Sequence, residues 1–403
     1  MINNAIMFSE YAKVYRDNLL NDVIPFWLNN SADDELGGYF TCLDTKGKVF
    51  DTDKFVWLQG RQVWTFAMLY NNVEQKQEWL DFALHGASFL LKHGRDTNGN
   101  WYFSLNRSGV PLTQPYNIFS DCFAAMAFAQ LYKATQNELY KTIAIDTFNN
   151  ILRKKDDPKR GYNKAFPGTR PLQGFSLPMI LCNLVLEMEF LLDAKIVEKT
   201  INEGIEKVMD VFYQPDLGLI LESVTPNGDF SDSFDGRLVN PGHSLEAMWF
   251  IMDLADRKKD NQLMKKAVDI AIDTLVYGWD EEFGGIFYFK DVKGHPPLQL
   301  EWDQKLWWVH IETLITLIKG YYHTNDERCL VWFKKVHDYT FAHFPDAENG
   351  EWFGYLNRQG EVLMQLKGGK WKGCFHIPRG LLQCSNVLQS LAEMQKNPIL
   401  INA

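Results

Sequence analysis

Asp280-Glu281-Glu282-Phe283-Gly284-Gly285-Ile286-Phe287-Tyr288-Phe289 joins an acidic, turn-forming cluster to a glycine pair and then to aromatics. The phrase returns. Asp34-Glu35-Leu36-Gly37-Gly38-Tyr39-Phe40 and Asp96-Thr97-Asn98-Gly99-Asn100-Trp101-Tyr102-Phe103 are earlier copies, and Ala347-Glu348-Asn349-Gly350-Glu351-Trp352-Phe353-Gly354-Tyr355 is the last. Degenerate copies read Asp157-Pro158-Lys159-Arg160-Gly161-Tyr162 and Pro215-Asp216-Leu217-Gly218-Leu219-Ile220. Six copies at about 60-residue spacing place the chain at the edge of the periods that mark repeat architectures.

Each repeat reads alike. An amphipathic helix precedes the phrase, as over Phe8 to Asn29, Glu78 to Lys92 and Leu263 to Tyr277. The phrase and the residues after it predict a short strand, a turn and a second strand, as in Tyr39 to Leu43 with Lys46 to Lys48. Ser104-Leu105-Asn106-Arg107-Ser108-Gly109 and Tyr355-Leu356-Asn357-Arg358-Gln359-Gly360 support a hairpin there. A second helix then begins, more uniformly apolar or small, such as Cys122 to Ala129, and a helix apolar all round is buried on all sides. Six half-exposed and six buried helices close into two concentric rings. The predicted fold is all-α, an (α/α)6 toroid with short β-hairpins in the loops of one rim, and with no linker or low-complexity stretch it is expected to be one domain over 1–403.

The rhythm also locates a site. His243, in Asn240-Pro241-Gly242-His243-Ser244-Leu245-Glu246, opens an apolar helix after a helix-breaking triplet. His376, in Gly373-Cys374-Phe375-His376-Ile377-Pro378-Arg379, opens another. Counted from each phrase's glycine, the two histidines lie about 25 residues on, Arg61 about 23, and the Trp307 to Glu312 cluster about 22 to 27. Equal phase around a ring means equal height, so Arg61, His243, Glu312 and His376 are expected to converge in one cup. Matched placement favours function over two helix-capping histidines. Arg61 sits among apolar residues, which leaves substrate contact or an ion pair, with Glu312 as the candidate partner. Glu246 shares a helix face with His243 and reads as its supporting partner. Ser120 and Asp121 hold the matching place in the second repeat, where capping explains them equally well.

Composition bounds the alternatives. The 403 residues carry a net charge of −10, which argues against nucleic acid, anionic membranes and a strongly anionic substrate. Six scattered cysteines without C-x-x-C indicate neither zinc nor a disulfide framework, and no metal is expected. No signal-peptide pattern opens the chain and no apolar run reaches membrane length, so a soluble, cytoplasmic protein is expected. Thirteen tryptophans suit sugar rings, though they also fill cores. His310-x-Glu312 lacks the P-C-x-x-C of zinc deaminases. Lys367-Gly368-Gly369-Lys370-Trp371-Lys372-Gly373 lacks the closing Gly-Lys-Ser/Thr of a phosphate loop, and reads as an anion contact or a mobile basic loop.

At Trp57 to Trp64, Asn240 to Glu246, Leu300-Glu301-Trp302, Lys305 to Trp308, Gly350 to Tyr355 and Lys367 to Arg379, the chain resembles the N-acylglucosamine 2-epimerases, also called renin-binding proteins. The resemblance covers nearly the whole chain. It implies an (α/α)6 toroid, interconversion of N-acetylglucosamine and N-acetylmannosamine in sialic acid metabolism, and acid/base roles for His243 and His376 with Arg61 and Glu312. It also implies a homodimer activated by ATP that is not consumed, with Lys367, Gly368, Gly369 and Lys370 as candidate nucleotide contacts. Related cellobiose 2-epimerases and aldose-ketose isomerases carry another histidine on the third inner helix. Here that stretch reads Phe175-Ser176-Leu177-Pro178-Met179-Ile180-Leu181, which favours the N-acyl sugar epimerase.

Inverting carbon 2 of an open-chain sugar needs one neutral and one protonated imidazole, on opposite faces. Arg61 would stabilise charge on the aldehyde oxygen. Glu246, Arg379 and the rings of Trp308, Trp371 and Trp249 are expected around the sugar. A glycosidase or lyase using Glu301, Asp303 and Glu312 is the competing chemistry, and a non-catalytic protease-binding protein the competing class.

Overall fold

The computed structural model describes residues 2–115, 117–157, 166 and 168–396. Among them, twelve helices alternate between two rings. The first, α1, runs Ile2–Asn18 and continues through a π-turn at Leu19–Val23 into Ile24–Asn30. It is followed by α2 (Val56–Asn72), α3 (Gln77–His93), α4 (Phe119–Thr135), α5 (Glu138–Lys154) and α6 (Ser176–Met188). The second half holds α7 (Ala194–Glu206), α8 (Pro241–Lys258), α9 (Asn261–Gly278), α10 (Trp307–Thr324), α11 (Glu327–His343) and α12 (His376–Lys396). Even-numbered helices pack side by side as the inner ring, and odd-numbered ones lie outside them. The chain is the (α/α)6 toroid that the repeats predict. No helix among the described residues is long and apolar enough to cross a membrane.

Burial follows the sequence. In α4, every residue from Ser120 to Leu131 is buried, as a helix enclosed on all sides requires. In α9, Ala267, Ala271, Thr274 and Gly278 are buried while Lys265, Lys266 and Asp269 stay outside or part-way, the pattern of a helix with one apolar stripe. Glycines let inner helices touch: a Cβ on Gly60 would lie 3.0 Å from the Phe123 backbone, and one on Gly380 would lie 2.3 Å from Ile311.

The two ends of the toroid differ because their connections differ. At one end the inner helix passes directly into the outer one. Gln136, Lys259 and Asn325 take left-handed backbone (φ 55°, 55° and 53°) and stop the inner helix. The next residue, Asn137, Asp260 or Asp326, caps the outer helix by accepting a backbone N–H. At the other end lie the repeated phrases. In five of them, a residue in the chain leaving the outer helix bridges one six or seven places on: Ala32 to Tyr39, Arg95 to Trp101, Tyr213 to Ile220, Trp279 to Ile286 and Pro345 to Trp352. The copy predicted at Asp157 to Tyr162 lies, beyond Asp157, outside the described residues.

The strands do more than form hairpins inside each repeat. Two-residue strands just before an inner helix pair with the hairpin of the following repeat: Lys54–Phe55 with Ser104–Leu105, Gln173–Gly174 with Ser223–Val224, Leu238–Val239 with Lys290–Asp291, and Lys305–Leu306 with Tyr355–Leu356. The last repeat returns to the first, where the Lys367 N–H donates to the Leu43 carbonyl at 2.9 Å. Buried ions stitch the same joints. Lys54 reaches Asp33 at 2.8 Å, with Arg107 of the next repeat on the same carboxylate, and Lys305, Asp280 and Arg358 repeat the arrangement. Burial would raise the Asp280 carboxyl, but Arg358 and Lys305 hold it down at about 2. The ring closes between α12 and α2, where Thr65 Oγ1 donates to the Cys374 carbonyl at 2.8 Å and Trp64 meets Phe375 edge-on.

Candidate active site

Inner helices start at the β-bearing rim, so their first turns surround a cavity of about 660 Å3, within the range of small-molecule sites. His243 reaches it from the first turn of α8. Asn240 caps that helix by accepting the His243 N–H at 3.1 Å, and Pro241 supplies the fixed backbone angle of a first turn. Gly242 admits the Trp308 indole, since a Cβ there would stand 2.7 Å from it. His376 is the first residue of α12, opposite in sequence and equivalent in phase. Both imidazoles line the cavity and both lie against Trp308, with ring centroids 5.2 and 5.8 Å away.

Each histidine is held by a carboxylate, but the two carboxylates differ. His243 Nδ1 lies 3.0 and 3.1 Å from the two oxygens of Glu222. Burial opposes charge on His243, yet Glu222 outweighs it and raises the pKa above the ordinary histidine value. His376 Nδ1 lies 2.8 Å from Glu312 Oε1. That oxygen already binds Arg379 at 2.6 Å, and Trp249 donates to the other at 2.9 Å. Glu312 therefore has little charge to offer, and burial, with the Arg61 guanidinium nearby, pushes His376 well below the ordinary value. With Nδ1 engaged in both rings, Nε2 is the nitrogen left for the cavity.

The arginines divide two tasks. Arg379 binds Glu246 and Glu312 together, with its guanidinium 4.6 Å from the Phe375 ring. Arg61 packs on the other wall, 4.0 Å from Phe123, 4.4 Å from Trp57 and 4.6 Å from Phe375. It forms no ion pair among the described residues and its buried Nε has no partner. Burial lowers its pKa to about 9, so it stays charged at neutrality. The ion pair between Arg61 and Glu312 that the sequence leaves open is not formed, because Arg379 takes the carboxylate. Donor atoms of Glu246, Glu312 and His376 lie within 4.8 Å of one another, a spacing that suits a cation. The guanidinium of Arg379 fills that role.

Of the residues the sequence singles out, Arg61, His243, Glu246, Trp308, Trp371, His376 and Arg379 line the cavity. Glu312 does not line the cavity: it is fully buried and meets His376 Nδ1 from behind. Trp249 requires a correction: it is 1% exposed, does not line the cavity and gives its indole N–H to Glu312, so it holds a carboxylate and not a sugar. The Lys367 to Lys370 segment is corrected in part. Lys367 is buried on Asp346 at 2.9 Å and on the Glu351 carbonyl, and Gly368 is pressed against the Thr41 carbonyl. Lys370 alone of the four puts a charge at the surface, on the rim beside Trp371. His310 is a core histidine, accepting the Ile286 N–H at 3.1 Å while its other nitrogen faces the Leu306 carbonyl, and burial lowers its pKa to about 3.

Sequence reasoning passed over Glu222. A signal existed: two places after the bridged residue of each phrase stand Thr41, Phe103, Glu222, Tyr288 and Gly354. Phe103 and Tyr288 line the cavity, so a lone acid in that series stands close to it, and Glu222 reaches the His243 ring there. Asn117, Phe119, Ser176, Met179 and Ile180 form the wall across from the histidines' side of the ring, and they too were not singled out as contacts.

The toroid is shared with sugar-converting enzymes. The solved structure of cellobiose 2-epimerase from Bacillus thermoamylovorans superposes with a TM-score of 0.81, covering 94% of this chain and 99% of that one at 20% identity. The family model for N-acylglucosamine 2-epimerase matches residues 38–378. The mouse N-acylglucosamine 2-epimerase is 40% identical over 386 residues, spanning 93% of this chain and 91% of its own. The human N-acylglucosamine 2-epimerase is 38% identical over 381 residues, spanning 92% and 89%. The chain belongs to the N-acylglucosamine 2-epimerase family, and it is an epimerase.

Proposed function

We propose that the protein interconverts N-acetylglucosamine and N-acetylmannosamine by moving the C2 proton of the open-chain sugar between His243 and His376. One observation carries this reading. Two imidazoles, each with Nδ1 tied to a carboxylate, share one cavity with an arginine that has no ion-pair partner. A neutral imidazole takes the C2 proton, and the C–H electrons move to the carbonyl, leaving negative charge on the former aldehyde oxygen. Arg61 stabilises that oxygen, an effect of about 3 kcal/mol for a well-placed donor. The second imidazole, protonated, returns a proton to C2 from the other face, and no electrons leave the sugar.

The N-acyl group is supported by the names of the mouse and human relatives and by the cavity's own wall. Phe119, Phe123, Met179 and Ile180 offer an apolar surface for an acetyl methyl, with Asn117 and Ser176 beside it for the amide. Glycoside cleavage is disfavoured because Glu312 is fully buried and Glu246 is bound to Arg379, which leaves Glu301 without an opposing free carboxylate among the cavity residues.

Incubating N-acetylmannosamine with the protein in deuterated water tests the reading by NMR. The expected result is N-acetylglucosamine carrying deuterium at C2, and no product with His243→Asn or His376→Asn at unchanged circular dichroism. Product without deuterium, or activity in either variant, would remove the two-histidine mechanism. The same assay with and without ATP reads the nucleotide response that the resemblance implies.

A further inference from the structure

We infer that Glu222 is a positioning residue that keeps His243 in its protonated form in the resting enzyme, so that the two bases start unequal, His243 as acid and His376 as base. This role deepens the proposed two-histidine mechanism and rests on it. Glu222 comes from the hairpin after the fourth phrase, not from an inner helix, and it faces His243 with both oxygens. No cation of the chain lies within ion-pair distance of it among the described residues apart from His243 itself. Glu312, by contrast, meets His376 with a charge already matched by Arg379.

The surroundings of both rings sharpen the contrast. His243 faces Glu222, Glu246 on its own helix, the Trp308 indole and, across the cavity lining, His376. Tyr288 stands close to Glu222 and is itself pushed far up by burial, with Glu301 and Glu222 adding to the rise, so it stays neutral. His376 faces Glu312 and Glu246 but also Arg61, Arg379 and His243, three groups that disfavour a second positive charge. A single proton shared by the two imidazoles therefore sits on His243. Turnover in one direction takes the sugar's proton onto His376 and delivers the one on His243. The opposite direction starts from the reversed pair, which the enzyme reaches by turnover or by exchange with water.

Glu222→Gln in the full-length chain separates charge from orientation, because glutamine still accepts from Nδ1–H but carries no charge. Two readouts are required: the pH titration of the His243 imidazole by NMR, assigned by its loss in His243→Asn, and the alkaline limb of kcat/KM. Glu222→Gln is expected to move both to lower pH by about one unit, costing about tenfold in rate above that limb, with Glu222→Asp returning most of it. An unmoved His243 titration would overturn the inference while leaving the epimerase reading intact. A titration that moves without the kinetic limb would overturn it too, since His243 would not be the kinetic acid. Loss of C2 exchange in neither histidine variant would be failure of the underlying mechanism instead.

Discussion

Arg61 shows how much one side chain can forgo. A guanidinium held between aromatic rings with no carboxylate partner bears the cost of desolvation without the offset of an ion pair. Arg61→Met is therefore expected to lower kcat by about 10²–10³-fold, the range for losing a charge-stabilising donor, while the melting temperature stays level or rises. Steady-state kinetics beside a thermal melt checks it, and a large fall in melting temperature with modest kinetic loss would make Arg61 structural. The opposed pKa directions of the histidines set a second expectation. On the proposed mechanism, turnover from the resting pair needs His376 neutral and His243 protonated, so in that direction the acid limb belongs to a group below the ordinary value of about 6.5 and the alkaline limb to one above it. The kcat/KM profile should be a plateau spanning that value. A break at about 6.5 would mean that neither environment perturbs its imidazole.

The elements that matter are the phrase turns and the joints between repeats. Gly284 and Gly285 take φ of 75° and 73°, and a Cβ on Gly285 would stand 2.6 Å from the Tyr339 ring. The sixth copy has Glu351 where Gly38 and Gly285 stand, at φ 59°, and this residue accepts backbone strain in exchange for a buried pair with Lys372 at 2.9 Å and a bond from the Trp27 indole. The arrangement anchors the loop that carries Trp371 to the cavity. Lys305 offers a cleaner measurement. Its ammonium and the Asp280 carboxylate are almost wholly buried, at 0% and 1% exposure. Lys305→Met should cost about 3 kcal/mol by urea unfolding, the lower end for breaking such a pair, because Arg358 remains on Asp280. A change below about 0.5 kcal/mol would place this joint among weak surface pairs.

At the scale of the molecule, closure is the property that counts. An open solenoid loses stability in steps as end repeats are trimmed. In this ring α12 packs on α1 and on α10, and holds the segment before it whose Cys374 meets Thr65, so the first and last repeats both depend on it. A chain ending at residue 375 should therefore lose cooperative unfolding by calorimetry altogether. A sharp transition at reduced temperature would instead indicate five repeats that fold without the sixth.

Much of this was legible in the residues. The six-fold period, the alternation of enclosed and half-exposed helices and the common phase of Arg61, His243, Glu312 and His376 come from local patterning, since burial and backbone geometry repeat whenever a repeat does. Tertiary structure decided which partners meet. Arg379, not Arg61, captures Glu312, Trp249 turns away from the cavity to hold that carboxylate, and Glu222, from the hairpin that precedes α8, meets the His243 imidazole. Side chains that meet across repeats are set by ring closure and by competition among several neighbours for one carboxylate, and no spacing along the chain encodes the outcome of that competition.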